Sequence, residues 1–237
     1  MNNKILYIVV LYRMTIADSL SYKGLCDSLS EEELKHDVYI HDNSKHNIYL
    51  AGAYNMGLTY AISHGYEWIV LLDEDTTITA AYITALKAAV IQKNFDVCVP
   101  TLVDNSGKVL SPSTLYGIPV AMNSCLAIRC RTVQEIGGFN TNYPLDFLDN
   151  WLCHKLFQAN ISLQKLPVEI VHNLSVNDPK HYVSRARYLS LLEGERNYAK
   201  EFGYVWRYKL HLVGRLVKWL LTRHVFVKET FEALIRI

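Results

Sequence analysis

Three carboxylates stand in a row at Asp73-Glu74-Asp75, directly after the apolar run EWIVLL. Adjacent like charges repel, so such a cluster is costly unless a cation neutralises it. A hard divalent ion with oxygen ligands does this and keeps positions open for phosphate oxygens. The alternative is a solvated acidic turn in which Thr76, Thr77 and Thr79 cap the next helix. Asp146 and Asp149 are spaced to share one face of a helix. One of them could take a proton from a hydroxyl, although acids that complement a helix dipole occur at the same place. His172 closes an apolar stretch, as a ligand or as a core histidine. Asp42-Asn43-Ser44 could hydrogen-bond a ribose or a base edge, or form an ordinary Asx-turn. Asn55 and Gly57 fall in a helical pattern, where glycine is unfavourable by ~1 kcal/mol relative to alanine. Close approach of a ligand, or of a sheet, would account for it. Gly137-Gly138-Phe139 permits a tight turn after a short helix.

The elements that position these residues are legible in the pattern. Lys4–Tyr12 is a continuous apolar, β-branched run and reads as a buried parallel strand. Helical spacing follows over Thr15–Leu29, then a strand at Asp37–Asp42 and a helix over Leu50–His64 with Gly65 at its end. Glu67–Leu72 is a third strand, Thr79–Lys93 a helix, and Asp96–Val103 a fourth strand. The second half adds strands at Val120–Arg129 and Ser162–His172 and a helix over Asp146–Ala159. Alternating strands and helices predict an α/β fold, with a mostly parallel central sheet flanked by helices. Ligands of such sheets bind beyond the carboxyl ends of the strands. Tyr12-Arg13, Asp42-Asn43-Ser44 and Asp73-Glu74-Asp75 all fall there.

The chain has 237 residues, enough for one large domain or one domain with an appendage. Its 24 basic and 23 acidic side chains leave a formal charge of +1, which is no nucleic-acid footprint. That total hides an asymmetry. Residues 1–179 carry 12 basic and 18 acidic side chains, a net of −6, and residues 180–237 carry 12 and 5, a net of +7. The boundary is placed near Asp178–Pro179. Five cysteines without a CxxC pair are neither a disulfide framework nor a zinc site, and predict a reduced, cytosolic compartment. MNNKILYIVVLYR lacks the features of a signal peptide, and no window of about 18 apolar residues predicts a spanning helix.

These pieces, in this order, resemble the inverting family-2 glycosyltransferases, and within them the rhamnosyltransferase-like enzymes of bacterial surface-polysaccharide (O-antigen or capsule) assembly. The resemblance covers roughly residues 4–200. It runs through IVVLYR, YIHDNS, NIYLAGAYNMGLTYAISHGYEWIVLLDEDTTI, NSCLAIRCRTVQEIGGFN, LDFLDNWLCHKLFQANISLQ and VEIVH. It implies a GT-A fold, with a nucleotide half over about 1–103 and an acceptor half over about 104–179. It implies that Tyr12, Arg13 and Asp42 line the nucleoside pocket and that Asn55 sits near the sugar and phosphates. Asp73 and Asp75 match the family's DxD. Asp75 would be the direct metal ligand and Asp73 the one nearer the ribose, with His172 completing a Mn²⁺ or Mg²⁺ site. Asp149 matches the catalytic base, with Asp146 its neighbour, and Ser124 and Trp151 fall where the acceptor would bind. Three departures stand out: Trp151 where relatives often carry an acid, Lys155 for an arginine, and Ser124-Cys125 for a usual Ser-Gly.

The implied activity is inverting transfer of a hexose, rhamnose by likeness, from a nucleotide-diphosphate sugar to a polyprenyl-diphosphate-linked oligosaccharide. A catalytically silent, sugar-nucleotide-binding scaffold is the alternative. A sugar-1-phosphate nucleotidyltransferase would need a glycine-rich basic loop after the first strand, and Arg13-Met14-Thr15 offers none. Residues 205–221, VWRYKLHLVGRLVKWLL, form an amphipathic helix: Trp206, Leu210, Val213, Val217 and Leu220 on one side, Arg207, His211, Arg215 and Lys218 on another. With Trp206 and Trp219 as interfacial anchors, this predicts a protein peripheral on the cytoplasmic face of the inner membrane. Packing on the domain or on a second subunit is the competing reading, and the oligomeric state stays open.

Overall fold

The computed structural model describes residues 4–92, 94–172 and 184–237. Strands β1 (Ile5–Leu11), β2 (Val38–Asp42), β3 (Trp68–Asp73), β4 (Val97–Val103), β5 (Val109–Ser111), β8 (Leu126–Arg129) and β9 (Gln164–Val171) form a seven-stranded sheet. Its order is β2-β1-β3-β8-β4-β5, with β9 also on β4. Strands β2, β1 and β3 pair in parallel, as do β4 and β9, whereas β8 and β5 run antiparallel to their neighbours. A separate hairpin joins β6 (Ser113–Leu115) and β7 (Ile118–Val120).

Alternation along the strands sends side chains to two cores. Leu6, Ile8, Ile69 and Leu71 face the larger core, together with α3 (Tyr49–Ser63) and α6 (Leu148–Gln158). Tyr7, Val9, Val70 and Leu72 face the other, with α1 (Leu20–Ser28) and α4 (Ala80–Gln92). Covering on both faces is why β1 is buried at every position and reads as an unbroken apolar run. The short helices α2 (Glu31–His36) and α5 (Cys130–Glu135) complete the layers. Gly57 serves the packing of α3 on the sheet, since a Cβ there would come within 2.6 Å of Ile8 Cδ1.

Register decides where the polar clusters meet. Leu11 pairs with Asp42, and Val10 pairs with Asp73. The carboxyl ends of β1, β2 and β3 therefore lie level along one edge of the sheet.

Three helices follow the sheet region: α7 (Arg185–Glu201), α8 (Val205–Leu221) and α9 (Val227–Ile235). The expected boundary at Asp178–Pro179, and the expected helix end at Lys93, lie outside the described residues. Tyr198 of α7 belongs to the larger core. Glu201 ties α7 down by accepting from Tyr143 Oη (2.8 Å) and Trp151 Nε1 (2.9 Å). Helices α8 and α9 share a smaller core with α7 around Tyr188, Leu192, Tyr208 and Leu212. Among the described residues no helix is long and apolar enough to cross a membrane.

One local expectation is corrected. The helix expected from Asp146 starts at Leu148, after Phe147 in the left-handed region (φ 66°). Asp146 therefore lies ahead of the helix and shares no helical face with Asp149. Helix α7 holds this turn from outside, since a Cβ at Gly194 would reach the Asp146 carbonyl oxygen at 2.9 Å.

Gly24 of α1 lies against the backbone of Ile78, just beyond the acidic cluster, and a Cβ would land on the Ile78 carbonyl oxygen. Gly24→Ala gains helix propensity but cannot be accommodated by turning a side chain. We expect a net loss of about 2 kcal/mol in urea denaturation; unchanged or increased stability would contradict this packing.

Candidate active site

The site forms where β3 ends. Asp73 is held on both carboxylate oxygens. Tyr54 of α3 donates its hydroxyl to Oδ1 (3.0 Å), and Ser124, just ahead of β8, donates to Oδ2. Glu74 turns to a supporting task. Its carboxylate accepts from the Tyr12 backbone N–H (2.6 Å) and its carbonyl from the Leu20 N–H (2.9 Å). That leaves Asp75 as the acid of the cluster least used by the fold. Burial, with the charge of Asp73, raises its pKa, and His172 opposes the shift. The cluster thus carries uncompensated negative potential, as a cation site should.

His172 comes from the end of β9 and is buried. It forms an antiparallel bridge with Thr76, and its Nδ1 lies 3.1 Å from Thr76 Oγ1. A hydrogen bond on one ring nitrogen orients the other toward a ligand. Among the described residues no three His, Cys, Asp or Glu side chains already stand as a closed metal site. The donors that fit a hard cation are Asp75 and His172, with Asp73 behind them. Mg²⁺ or Mn²⁺ can use so few protein ligands because waters and substrate phosphates supply the rest.

Asp149 enters from the first turn of α6. Its Oδ1 accepts from the Asn150 N–H (2.8 Å) and Asn150 Nδ2 (3.0 Å). Burial pushes its pKa up to about 6; the Asn150 N–H opposes this, and Asp73 and Asp146 add to it. Asp73 and Asp149 also act together on the buried Tyr54 hydroxyl, raising its pKa, after the larger effect of burial. So the β3 end, α3 and α6 meet at one centre. Asp146 is turned away to α7, where Arg187 pairs with it at 2.8 Å.

At the carboxyl ends of β1 and β2 a cleft of about 530 Å³ is lined by Leu11, Arg13, Thr15, Ile40, Asp42 and Ser44. Ser44 links its walls: its Oγ accepts from the Arg13 N–H (3.0 Å), and its own N–H donates to Asp42 Oδ1 (2.8 Å). Hydrogen bonding to Asp42 by the Ser44 side chain, and then by its backbone N–H, lowers the Asp42 pKa. Tyr12 is exposed beside Arg13, whose guanidinium lies 5.1 Å from the tyrosine ring centre.

Three expected site residues have other work. Asn55 spends both ends of its amide on Phe139, donating to the carbonyl (2.7 Å) and accepting from the N–H (2.9 Å). It clamps the Gly137-Gly138 turn. Trp151 is buried and donates to Glu201, anchoring α7. Ser124 is buried and committed to Asp73. Tyr54 and Glu74 were missed as functional supports, because nothing in a helical or acidic stretch says which neighbour its side chain will meet.

No protein-family model and no curated protein matches this sequence. Solved structures do match it in shape. GalNAc-T7, crystallised with UDP, GalNAc and Mn²⁺, superposes with a TM-score of 0.55 over 80% of this chain and 47% of its own, at 13% identity. Residues 1–349 of S. aureus TarS, in complex with UDP-GlcNAc, superpose with a TM-score of 0.56 over 84% of this chain and 66% of that one, at 14% identity. The fold is GT-A. The chain spans less than two thirds of each of these neighbours.

The raised carboxyl of Asp149 has a sign for stability. The folded chain binds this proton more tightly than the unfolded one, so ionised Asp149 opposes folding. The penalty is absent below about 3.8 and complete above about 6, so stability falls as pH rises through that window. In metal-free protein at pH 7, Asp149→Asn should raise stability by up to about 3 kcal/mol in chemical denaturation. A destabilised variant would overturn this account.

Proposed function

We propose that this protein transfers a sugar from a nucleotide-diphosphate donor to an acceptor hydroxyl, with inversion at the anomeric carbon. The observation that carries the reading is the convergence of Asp149, its pKa raised to about 6, on the acidic end of β3, with an open cleft at the neighbouring ends of β1 and β2. A carboxyl tuned toward neutrality is deprotonated at pH 7 yet retains the basicity to take a proton. In this reading Asp149 accepts the acceptor hydroxyl's proton. The oxygen attacks the anomeric carbon from the side opposite the leaving diphosphate. Arg13, Asp42 and Tyr12 bind the nucleoside in the cleft.

Asp75 and His172 would hold Mn²⁺ or Mg²⁺, with Asp73 kept in place by Tyr54 and Ser124. When bound, the ion supplies Lewis-acid stabilisation of charge on the diphosphate. Tyr54 and Ser124 keep Asp73 from collapsing onto its neighbours. Asp146, paired with Arg187 of α7, lies ahead of the helix that carries Asp149. The donor sugar is rhamnose or another hexose. A lipid-linked oligosaccharide acceptor would place the enzyme on the cytoplasmic face of an inner membrane. Trp151 and Lys155, two of the departures from the family pattern, are engaged with Glu201, at 2.9 Å and 4.0 Å.

Calorimetry against a panel of dTDP-, UDP- and GDP-linked hexoses should find one donor whose binding needs Mn²⁺ or Mg²⁺ and is lost in Asp75→Ala. Donor binding unchanged by EDTA would reject the metal assignment. With that donor, Asp149→Asn should lower transfer about 10³-fold, and wild-type kcat/KM should fall as pH drops below about 6. Asp146→Asn should retain much of the activity. The opposite pattern, Asp149→Asn active and Asp146→Asn dead, would assign the base to Asp146.

A further inference from the structure

Helix α8 turns its apolar stripe outward. Tyr208 and Leu212 are its buried residues, and Trp219 packs inward on Tyr188 and Phe226, with ring centres at 5.1 and 6.2 Å. The opposite side holds Trp206, Leu210, Val213, Val217, Leu220 and Leu221, all exposed; Trp206 is 73% and Leu221 81% exposed. At 3.6 residues per turn these six share one face. Arg207, His211 and Lys218 border it on one side and Lys209 on the other. Val205–Leu221 contains no acidic residue.

We propose that this outward face of α8 is a docking surface for an anionic lipid bilayer, in which the helix lies flat with its stripe among the acyl chains. Large apolar side chains at this exposure are costly in water and mark an interaction surface. The flanking cations decide what covers it. A second copy meeting the same face about a two-fold axis would bring two cation-bordered faces together, with no acid on Val205–Leu221 to pair them. A bilayer with anionic headgroups offers the opposite charge at the right depth and accepts the stripe below it. The structure also separates the expected pair of interfacial tryptophans: Trp206 is the anchor, and Trp219 is half-buried and packs on the small core that joins α8 to α7 and α9. The surface rests on exposure and charge. It deepens the proposed function by naming what brings a lipid-linked acceptor within reach.

The test is sedimentation of the full chain with vesicles, without donor or acceptor. Vesicles of phosphatidylcholine with phosphatidylglycerol should bind it, and phosphatidylcholine alone should bind it at least ten-fold more weakly. Arg207→Gln with Lys218→Gln should weaken binding about 25-fold. Trp206→Ser with Leu210→Ser and Val217→Ser should abolish it with an unchanged circular dichroism spectrum, as all three are exposed. Quenching of tryptophan fluorescence by brominated lipid should vanish in Trp206→Phe and persist in Trp219→Phe. Equal binding to both vesicles overturns the proposal. So does a dimer in light scattering that the triple variant dissolves. Transfer to a soluble acceptor is assayed separately: vesicle binding without transfer would reject the enzymatic reading alone, and transfer without vesicle binding would reject the docking surface alone.

Discussion

Negative charges crowded at the end of a buried strand must be held apart or neutralised, and much of the site is arranged around that need. Asp73, Glu74 and Asp75 follow five buried residues of β3. The fold gives each a separate fate. Asp73 accepts from two hydroxyls, Glu74 accepts from the backbone beyond β1, and Asp75 keeps a raised pKa beside His172. Neutral hydroxyl donors leave the cluster's net charge intact while fixing its geometry. A lysine there would have cancelled the potential that attracts a cation.

The same field reaches Asp149. Burial is the larger cause of its raised pKa, and Asp73 adds to it. A positive charge at the end of β3 would remove part of that contribution. Asp146 is kept apart from Asp149 by a turn rather than by distance in sequence. Phe147 takes a left-handed conformation, Gly194 admits the turn beneath α7, and Arg187 holds the carboxylate. Helix α7 thus supports the start of α6, with Glu201 fastening Tyr143 and Trp151 at its other end.

Helix α8 shows the complementary economy of a small surface element. One side closes a modest core with α7 and α9, and the other presents apolar groups between rows of cations. The two faces were superimposed in the periodicity of residues 205–221. Spacing alone assigned Trp206 and Trp219 to one role, and packing separated them.

The first half of the fold was legible because parallel strands covered on both faces must be apolar throughout, and the helices between them carry caps and glycine stops. β1, β3 and β4 lie within a residue or two of where their composition puts them. The acidic cluster, Asp42, Arg13 and His172 were recognisable because strand ends are where a sheet's side chains become available. What composition could not hold was direction. Asn55, Ser124 and Trp151 have the right types for ligand contact, yet they close on Phe139, Asp73 and Glu201. A side chain's partner is set by elements distant in the chain, whose register and approach are decided by the whole core. The residue types and the strand-end placement were the sequence's own. Which acid is free, which is clamped and which face of α8 meets solvent belonged to the tertiary structure, because only packing chooses among neighbours of equal chemistry.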